Sequence, residues 1–300
     1  MNHQRRYGAA ISAFVIWGFF SIPLRALREH QAGEILYFRI LFSMVVLLAA
    51  ILIFRRKSYA KNVTLYQSLT PKLRRQTIFL TLSGGALLTI NWLTFIYIVN
   101  NINIKTASFS YLICPVITAV LGYILLQERM QKHQWVAVGL CTISCMVMAF
   151  SSTAELGYSV LTAFTYALYL ISQRKNQGFD RIIVLGIQVL FALIVLSFFY
   201  PYLVGEMPQE LFFYGVILII AILFTVIPLF LNLYALNKIN AATIGILMYL
   251  NPIINFTVAF VVFKEQATQL QWIGYGLIVV ALVIFNYKTF VRNTSFEKNA

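Results

Sequence analysis

The chain has 300 residues, of which 60% are hydrophobic and only 11% charged, against about a quarter charged in soluble domains. This excludes a water-soluble globular protein, because nine acids and 23 bases cannot coat the surface that so large a core would present to water. The formal charge of +14 does not point to nucleic acid either, since the bases sit in short segments between apolar runs and not on one face among stacking aromatics.

Ten apolar segments are long enough to cross about 30 Å of hydrocarbon as helices. Arg5 and Arg6 precede the first, over 7–27. No small-x-small cleavage site follows it, so an uncleaved span is expected. The second, over 34–54, contains Arg39, the one charge well inside a span, five residues and about 7.5 Å beyond Glu34 along a helix axis. From Arg55 to Arg75 runs the longest expected loop, with seven bases and no acid, suited to an anionic inner leaflet. The third span (77–98) holds Asn91 and Trp92, and the fourth (104–126) holds Ser108, Tyr111 and Pro115. The fifth covers 133–151, the sixth (154–173) carries Tyr166, and the seventh covers 181–201. After the acidic stretch GEMPQE comes the eighth (211–236), with Thr225 and Asn232. The ninth (241–263) holds Tyr249, Asn251, Pro252 and Asn255, and the tenth covers 270–290. The runs are continuous and do not alternate, which excludes barrel strands. The expected fold class is an all-α integral membrane protein with ten transmembrane helices.

With the N-terminus inside, eighteen of the 23 bases fall on the cytoplasmic side, leaving Arg25, Arg28, Lys105 and Lys264 outside and Arg39 within a span. Both termini are therefore expected in the cytoplasm.

Two stretches read alike: YLICPVITAVLGYILLQE from Tyr111 and MYLNPIINFTVAFVVFKE from Met248. Pro115 and Pro252, and Glu128 and Glu265, are each 137 positions apart. The same offset pairs Tyr97 with Tyr234, Asn100 with Asn237, Asn103 with Asn240, Thr106 with Thr243, Trp135 with Trp272 and Gly139 with Gly276. The third to fifth spans thus repeat as the eighth to tenth. Five spans is an odd number, so the second copy enters the membrane inverted, with a substrate site expected between the halves near the midplane. The boundary falls between 1–151 and 152–300.

The stretches FVIWGFF, GEILYFR, NWLTFIYIVNN, the P-x12-E run and the following QW-x3-G resemble the EamA-type drug/metabolite transporters. NWLTFIYIVNN followed by ASFSYLICP and QERMQKHQW is most similar to the chloramphenicol-sensitivity (RarD-like) subfamily. The resemblance covers nearly the whole chain and is strongest from Gly33 to Leu140. It implies a basket of two inverted five-helix units in a bacterial-type cytoplasmic membrane, moving small metabolites or drugs, and leaves the substrate open.

Pro115 and Pro252 each remove a backbone hydrogen bond near a helix centre. They are read either as packing kinks or as hinges. Around them the helical period gathers less apolar faces, Ser108, Tyr111, Pro115 and Thr118 in one copy and Gly245, Met248, Pro252 and Asn255 in the other, with Tyr249 and Asn251 beside it. Asn91, Trp92, Thr225 and Asn232 lie at similar depth. Each could serve only interhelical hydrogen bonding. Together with Trp17 and Tyr166 they outline an aromatic, moderately polar cavity suited to amphipathic metabolites. Arg39 either snorkels to the outer interface or attracts anions at the outer mouth.

Cys114, Cys141 and Cys145 read as small buried hydrophobes. With His3, His30 and His133 at the terminus or in loops, no metal cluster, catalytic constellation or cofactor is implied. A secondary transporter that exports or exchanges small molecules by alternating access is the leading expectation. A passive facilitator that imports and a non-transporting receptor or assembly protein stay open. The expected partners are a small molecule, with a negative group if Arg39 faces it, and the lipid bilayer, without nucleic acid. The sequence does not give the oligomeric state.

Overall fold

The structure, a computed structural model, describes residues 2–176, 178–205, 207–236 and 247–297, which form helices joined by short connections, without any strand. The first span is broken where one continuous helix was expected. Helix α1 (Asn2–Gly18) stops and α2 (Ser21–Ala26) resumes, because Pro23 has no N–H for the carbonyl of Phe19. That carbonyl takes the N–H of Ile22 instead, at 3.1 Å.

Helix α3 (Ala32–Phe54) is the second span. The expected loop after it is largely helix: α4 (Arg56–Ser68) has no buried residue, and its sequence contains neither Gly nor Pro to oppose helix formation. Helix α5 (Pro71–Tyr97) then starts on a proline, which needs no amide donor in the first turn, and continues as a π-helical segment, Ile98–Ile102. Helix α6 (Ile104–Leu126) is capped by Asn103, whose Oδ1 accepts the N–H of Thr106 at 2.7 Å. Next come α7 (Lys132–Ser151), α8 (Thr153–Lys175), α9 (Arg181–Phe198) and the short α10 (Tyr200–Leu203). The eighth span is α11 (Leu211–Ala221), a π-helical segment Ile222–Val226 and α12 (Ile227–Leu236). Helix α13 (Leu250–Thr257) passes into a third π segment, Val258–Val262, and α14 (Gln269–Glu297) ends the described chain.

Among the described residues nine helices are long and apolar enough to cross a membrane, and Leu250–Val262 is a shorter apolar helix. The beginning of the expected ninth span, with Gly245, and the repeat partners Asn237, Asn240 and Thr243 lie outside the described residues.

Helix α1 packs on α12 and α13, while α8 packs on α5 and α6; α3 lies along α9, α6 along α13, and α7 along α14. Exchanging the first five spans with the last five maps this set of contacts onto itself. Lipid tails are as apolar as leucine, so helices hold together here by close packing and interhelical hydrogen bonds. A Cβ on Gly84 would stand 2.6 Å from Gln188 Nε2 and 2.9 Å from Ser172 Oγ, and one on Gly18 would stand 2.6 Å from Ile254 Cβ. Those glycines set how near α5 comes to α8 and α9, and α1 to α13.

The two ends of the bundle differ in chemistry. One end, here the basic end, carries the Arg55–Asp180 pair at 3.6 Å and Arg174, whose Nη1 donates to both oxygens of Glu128 at 2.9 and 3.0 Å. At the other, acidic end, Arg25 Nη2 donates to Glu265 Oε1 at 3.0 Å. The backbone N–H groups of Ile104 and Lys105 donate to the two oxygens of the same carboxylate, at 2.8 and 3.0 Å. Glu265 thus caps α6 and draws on the positive end of its dipole. Thr106 Oγ1 and Gln271 Nε2 both donate to Glu155 Oε2, at 2.8 and 3.3 Å, and His30 Nδ1 lies 2.9 Å from Glu34 Oε2.

Candidate functional site

A cavity of about 210 Å³ lies between the two halves of the chain. It is smaller than the roughly 300–1,000 Å³ of pockets that hold drug-sized ligands, a size suited to a small metabolite. Aromatic rings form most of its inner wall. Phe20 stacks on Phe95 and on Phe224 at centroid distances of 5.7 and 5.5 Å. Tyr111 meets Phe95 and Tyr166 edge-on at 5.5 and 5.7 Å, and Tyr166 leads to Tyr169 at 5.8 Å.

Arg39 projects from α3 into this wall and is 3% exposed. Its guanidinium carbon lies 4.7 Å from the centroid of Phe20 and 4.5 Å from that of Trp92, so two ring faces flank the cation, each contact worth about 0.5–2 kcal/mol. Arg39 Nε donates to Thr225 Oγ1 at 3.2 Å, while Nη1 is buried without a hydrogen-bond partner among the described residues. The acid five residues away, Glu34, is engaged by His30 at the acidic end.

The π segment of the eighth span shapes the opposite wall. In an α-helix the carbonyl of Phe224 would take the N–H of residue 228, but residue 228 is a proline. Phe224 O accepts Trp17 Nε1–H instead, at 3.0 Å, and Thr225 Oγ1 donates five residues back to Ile220 O at 3.0 Å. The extra residue in this turn places Phe224 and Thr225 together on the cavity wall.

Toward the basic end the lining continues through Tyr169, Leu170 and Gln173 to Arg181, which is exposed. Toward the acidic end it stops at the aromatic cluster, beyond which lie Arg25 and Glu265, with side chains 19% and 11% exposed. The partners at the basic end, Arg174 and Glu128, are 49% and 48% exposed.

Eight of the residues singled out from the sequence line this cavity: Trp17, Arg39, Trp92, Tyr111, Tyr166, Thr225, Asn232 and Asn251. Tyr249 and Pro115 line a smaller adjoining space of about 30 Å³. The remaining polar candidates are off both walls, each held by a neighbour. Asn91 Nδ2 donates to Thr162 O at 2.8 Å while its Oδ1 accepts Tyr111 O–H at 3.2 Å, so it positions the tyrosine from behind. Ser108 Oγ donates to Ile104 O at 2.9 Å, and Asn255 Oδ1 accepts Ser21 O–H at 2.6 Å. Pro252 is buried outside either lining. Arg39, expected at an outer mouth or interface, lies inside the main cavity. The sequence reading missed Phe20, Phe95, Phe224, Gln173 and Arg181, and Pro228 was the signal for the reshaped eighth span.

Comparison with known proteins gives the site its setting. The model of the EamA-like transporter family matches over residues 6–150 and again over 154–287. Protein RarD of Escherichia coli (strain K12) is 30% identical over 293 residues, covering 94% of each chain. Protein RarD of Streptomyces exfoliatus is 29% identical over 296 residues, covering 95% of this chain and 90% of the relative. A protein described as an uncharacterized transporter in Vibrio cholerae is 30% identical over 283 residues, covering 92% of this chain and 90% of the relative. One solved crystal structure matches with a TM-score of 0.63 at 11% identity, over 94% of this chain and 97% of that one, a likeness of fold alone. With its apolar helices and a family match across both halves, the chain is a multi-pass membrane transporter of the EamA-like family and, within it, RarD-like.

Proposed function

We propose that this transporter is a secondary exporter or exchanger of small amphipathic metabolites, working by alternating access across a bacterial-type cytoplasmic membrane. Ten spans form two inverted five-helix units, 1–151 and 152–300. The observation that carries the reading is a cavity between the halves that runs out to exposed Arg181 at the basic end and stops short of the Arg25–Glu265 pair at the acidic end. Basic loops mark the cytoplasmic side, so a cavity reaching the basic end loads from the cytoplasm, as export requires.

Two further observations support the repeat, whose inversion follows from the odd number of spans in each half. The family model matches once on each side of residues 151–153, and the helix contacts map onto themselves when the halves are exchanged. In this mechanism α6 and α13 rock about Pro115 and Pro252, where the helix lacks a hydrogen bond and bends at low cost. Opening outward requires Glu265 to release Arg25 and the first turn of α6. Closing inward narrows the basic end around Gln173 and Arg181.

The test is a reversible tether. Cysteines replacing Arg25 and Glu265, joined by a thiol-cleavable bifunctional reagent, should stop counterflow in proteoliposomes of a compound first found by thermal-shift screening, and reduction should restore it. Undiminished counterflow with the tether in place would show that this end does not open during transport.

A further inference from the structure

We propose that the substrates are organic monoanions with a flat, apolar or aromatic body, whose carboxylate or equivalent oxyanion is held by Arg39. The inference rests on the reading of this cavity as the transport site and names what it takes. Arg39 is 3% exposed and, among the described residues, has no ion-pair partner and no hydrogen-bond partner for its buried Nη1. A buried charge costs several kilocalories unless it is paired, and the two aromatic faces flanking this one return only part of that cost. The described lining carries Arg39 and Arg181 and no Asp, Glu, His or Lys. The described residues therefore supply no counter-ion, and the bound molecule completes the site.

The rest of the wall sets the body and the charge. Phe20, Trp92, Phe95 and Tyr111 offer ring faces and edges around the guanidinium, which suits a flat group joined closely to the anion. A single deep cation matches one negative charge. A phosphate monoester, at roughly two charges near neutral pH, would want more donors than one fork. A cation or a zwitterion finds no carboxylate for its ammonium group. Exposed Arg181 at the basic end raises the local concentration of anions where the cavity begins.

The test uses matched triads of probes, 3-phenylpropionate and indole-3-propionate with their carboxamides and the corresponding primary amines, titrated against the full chain in lipid nanodiscs by isothermal titration calorimetry. The carboxylates should bind about tenfold or more tightly than the amides, the size of a charge-assisted contact, and the amines should bind least. Arg39→Met should remove that discrimination while leaving the unliganded melting temperature unchanged or higher, because it removes a buried unpaired charge. Arg39→Lys should keep part of the preference. Amides equal to carboxylates in the unaltered protein, or no carboxylate binding at all, would overturn the assignment, as would a lower melting temperature for both Arg39 variants with the carboxylate preference intact. Counterflow in proteoliposomes separates the two readings. Selective binding without flux would refute transport and leave the anion site standing, whereas flux of neutral and anionic probes alike would do the reverse.

Discussion

Glu128 and Glu265, 137 positions apart, end their helices in the same way. Each follows a residue in the left-handed conformation, Gln127 at φ 57° and Lys264 at φ 54°, and the N–H of each returns to the carbonyl six residues back, Gly122 or Ala259, at 3.2 and 3.0 Å. Each then binds an arginine at the end of the first span of a half, Arg174 for Glu128 and Arg25 for Glu265. The glutamate that recurs in the sequence is therefore a helix terminator and a clasp between halves, once at each end of the bundle.

The two clasps should differ in strength. Glu265→Gln leaves Arg25 half-buried without its charge partner and weakens the cap of α6, at a cost of about 3 kcal/mol or more. Glu128→Gln, in water-exposed surroundings, should cost under about 1 kcal/mol. Thermal unfolding of both variants in one detergent measures the difference, and equal losses would contradict the structure.

Trp17 and Pro228 should be energetically coupled. Trp17→Phe removes the donor to Phe224 O and leaves that carbonyl unpaired, at about 1–3 kcal/mol. In a Pro228→Ala background the restored N–H can take the carbonyl, so the same change should cost less. A double-mutant cycle on unfolding should give an interaction energy above about 0.5 kcal/mol; strict additivity would count against the pairing.

Glycine replacements should separate by place. Gly85→Ala brings a methyl to 3.2 Å from Gln188 O and Phe191 Cδ1, and overpacking of this kind costs about 1–3 kcal/mol. A methyl on Gly139 meets nothing within 4 Å, so Gly139→Ala should be neutral or stabilise by up to about 1 kcal/mol. Melting temperatures of the two proteins, compared side by side, decide it.

Coupling to protons is the next expectation. The described acids lie at helix ends or in loops, and Glu34 is committed to His30. Uptake should follow the substrate gradient alone, with Glu34→Gln changing initial rates by no more than about twofold. Accumulation against the gradient, driven by an imposed pH difference and abolished by Glu34→Gln, would show a proton carrier at that pair.

Topology can be read without a substrate. Reporter fusions to the C-terminus and within the turn from Ser152 to Glu155 should report opposite sides of the membrane. A shared side would overturn the orientation drawn from the basic loops.

The spans were legible because continuous apolar runs of about 20 residues have few other uses, and the doubled glutamate because it is one of nine acids in 300 residues. The cavity was legible only where its lining is chemically conspicuous, as at Arg39, Trp92 and Tyr111. Phe20, Phe95 and Phe224 carry no mark in a chain with 25 phenylalanines. Ser108 and Asn255 looked like lining because polar atoms at membrane depth stand out, yet a carbonyl one turn back and the hydroxyl of Ser21 satisfy them. Arg39 was expected at an outer mouth because depth was reckoned along one helix; the Arg25–Glu265 clasp from two other spans lies beyond it. Helix α4 went unseen because a search for apolar windows passes over a polar helix.

The π segment Ile222–Val226 makes the eighth span unusually sensitive to residue count. One surplus residue in a turn rotates everything beyond it by about 100° relative to an unbroken α-helix. Leu229 and Asn232, which face the cavity, owe their direction to that surplus. Deleting a single residue here would give a smoother helix whose downstream side chains point elsewhere, so in this stretch chain length carries information that no substitution can supply.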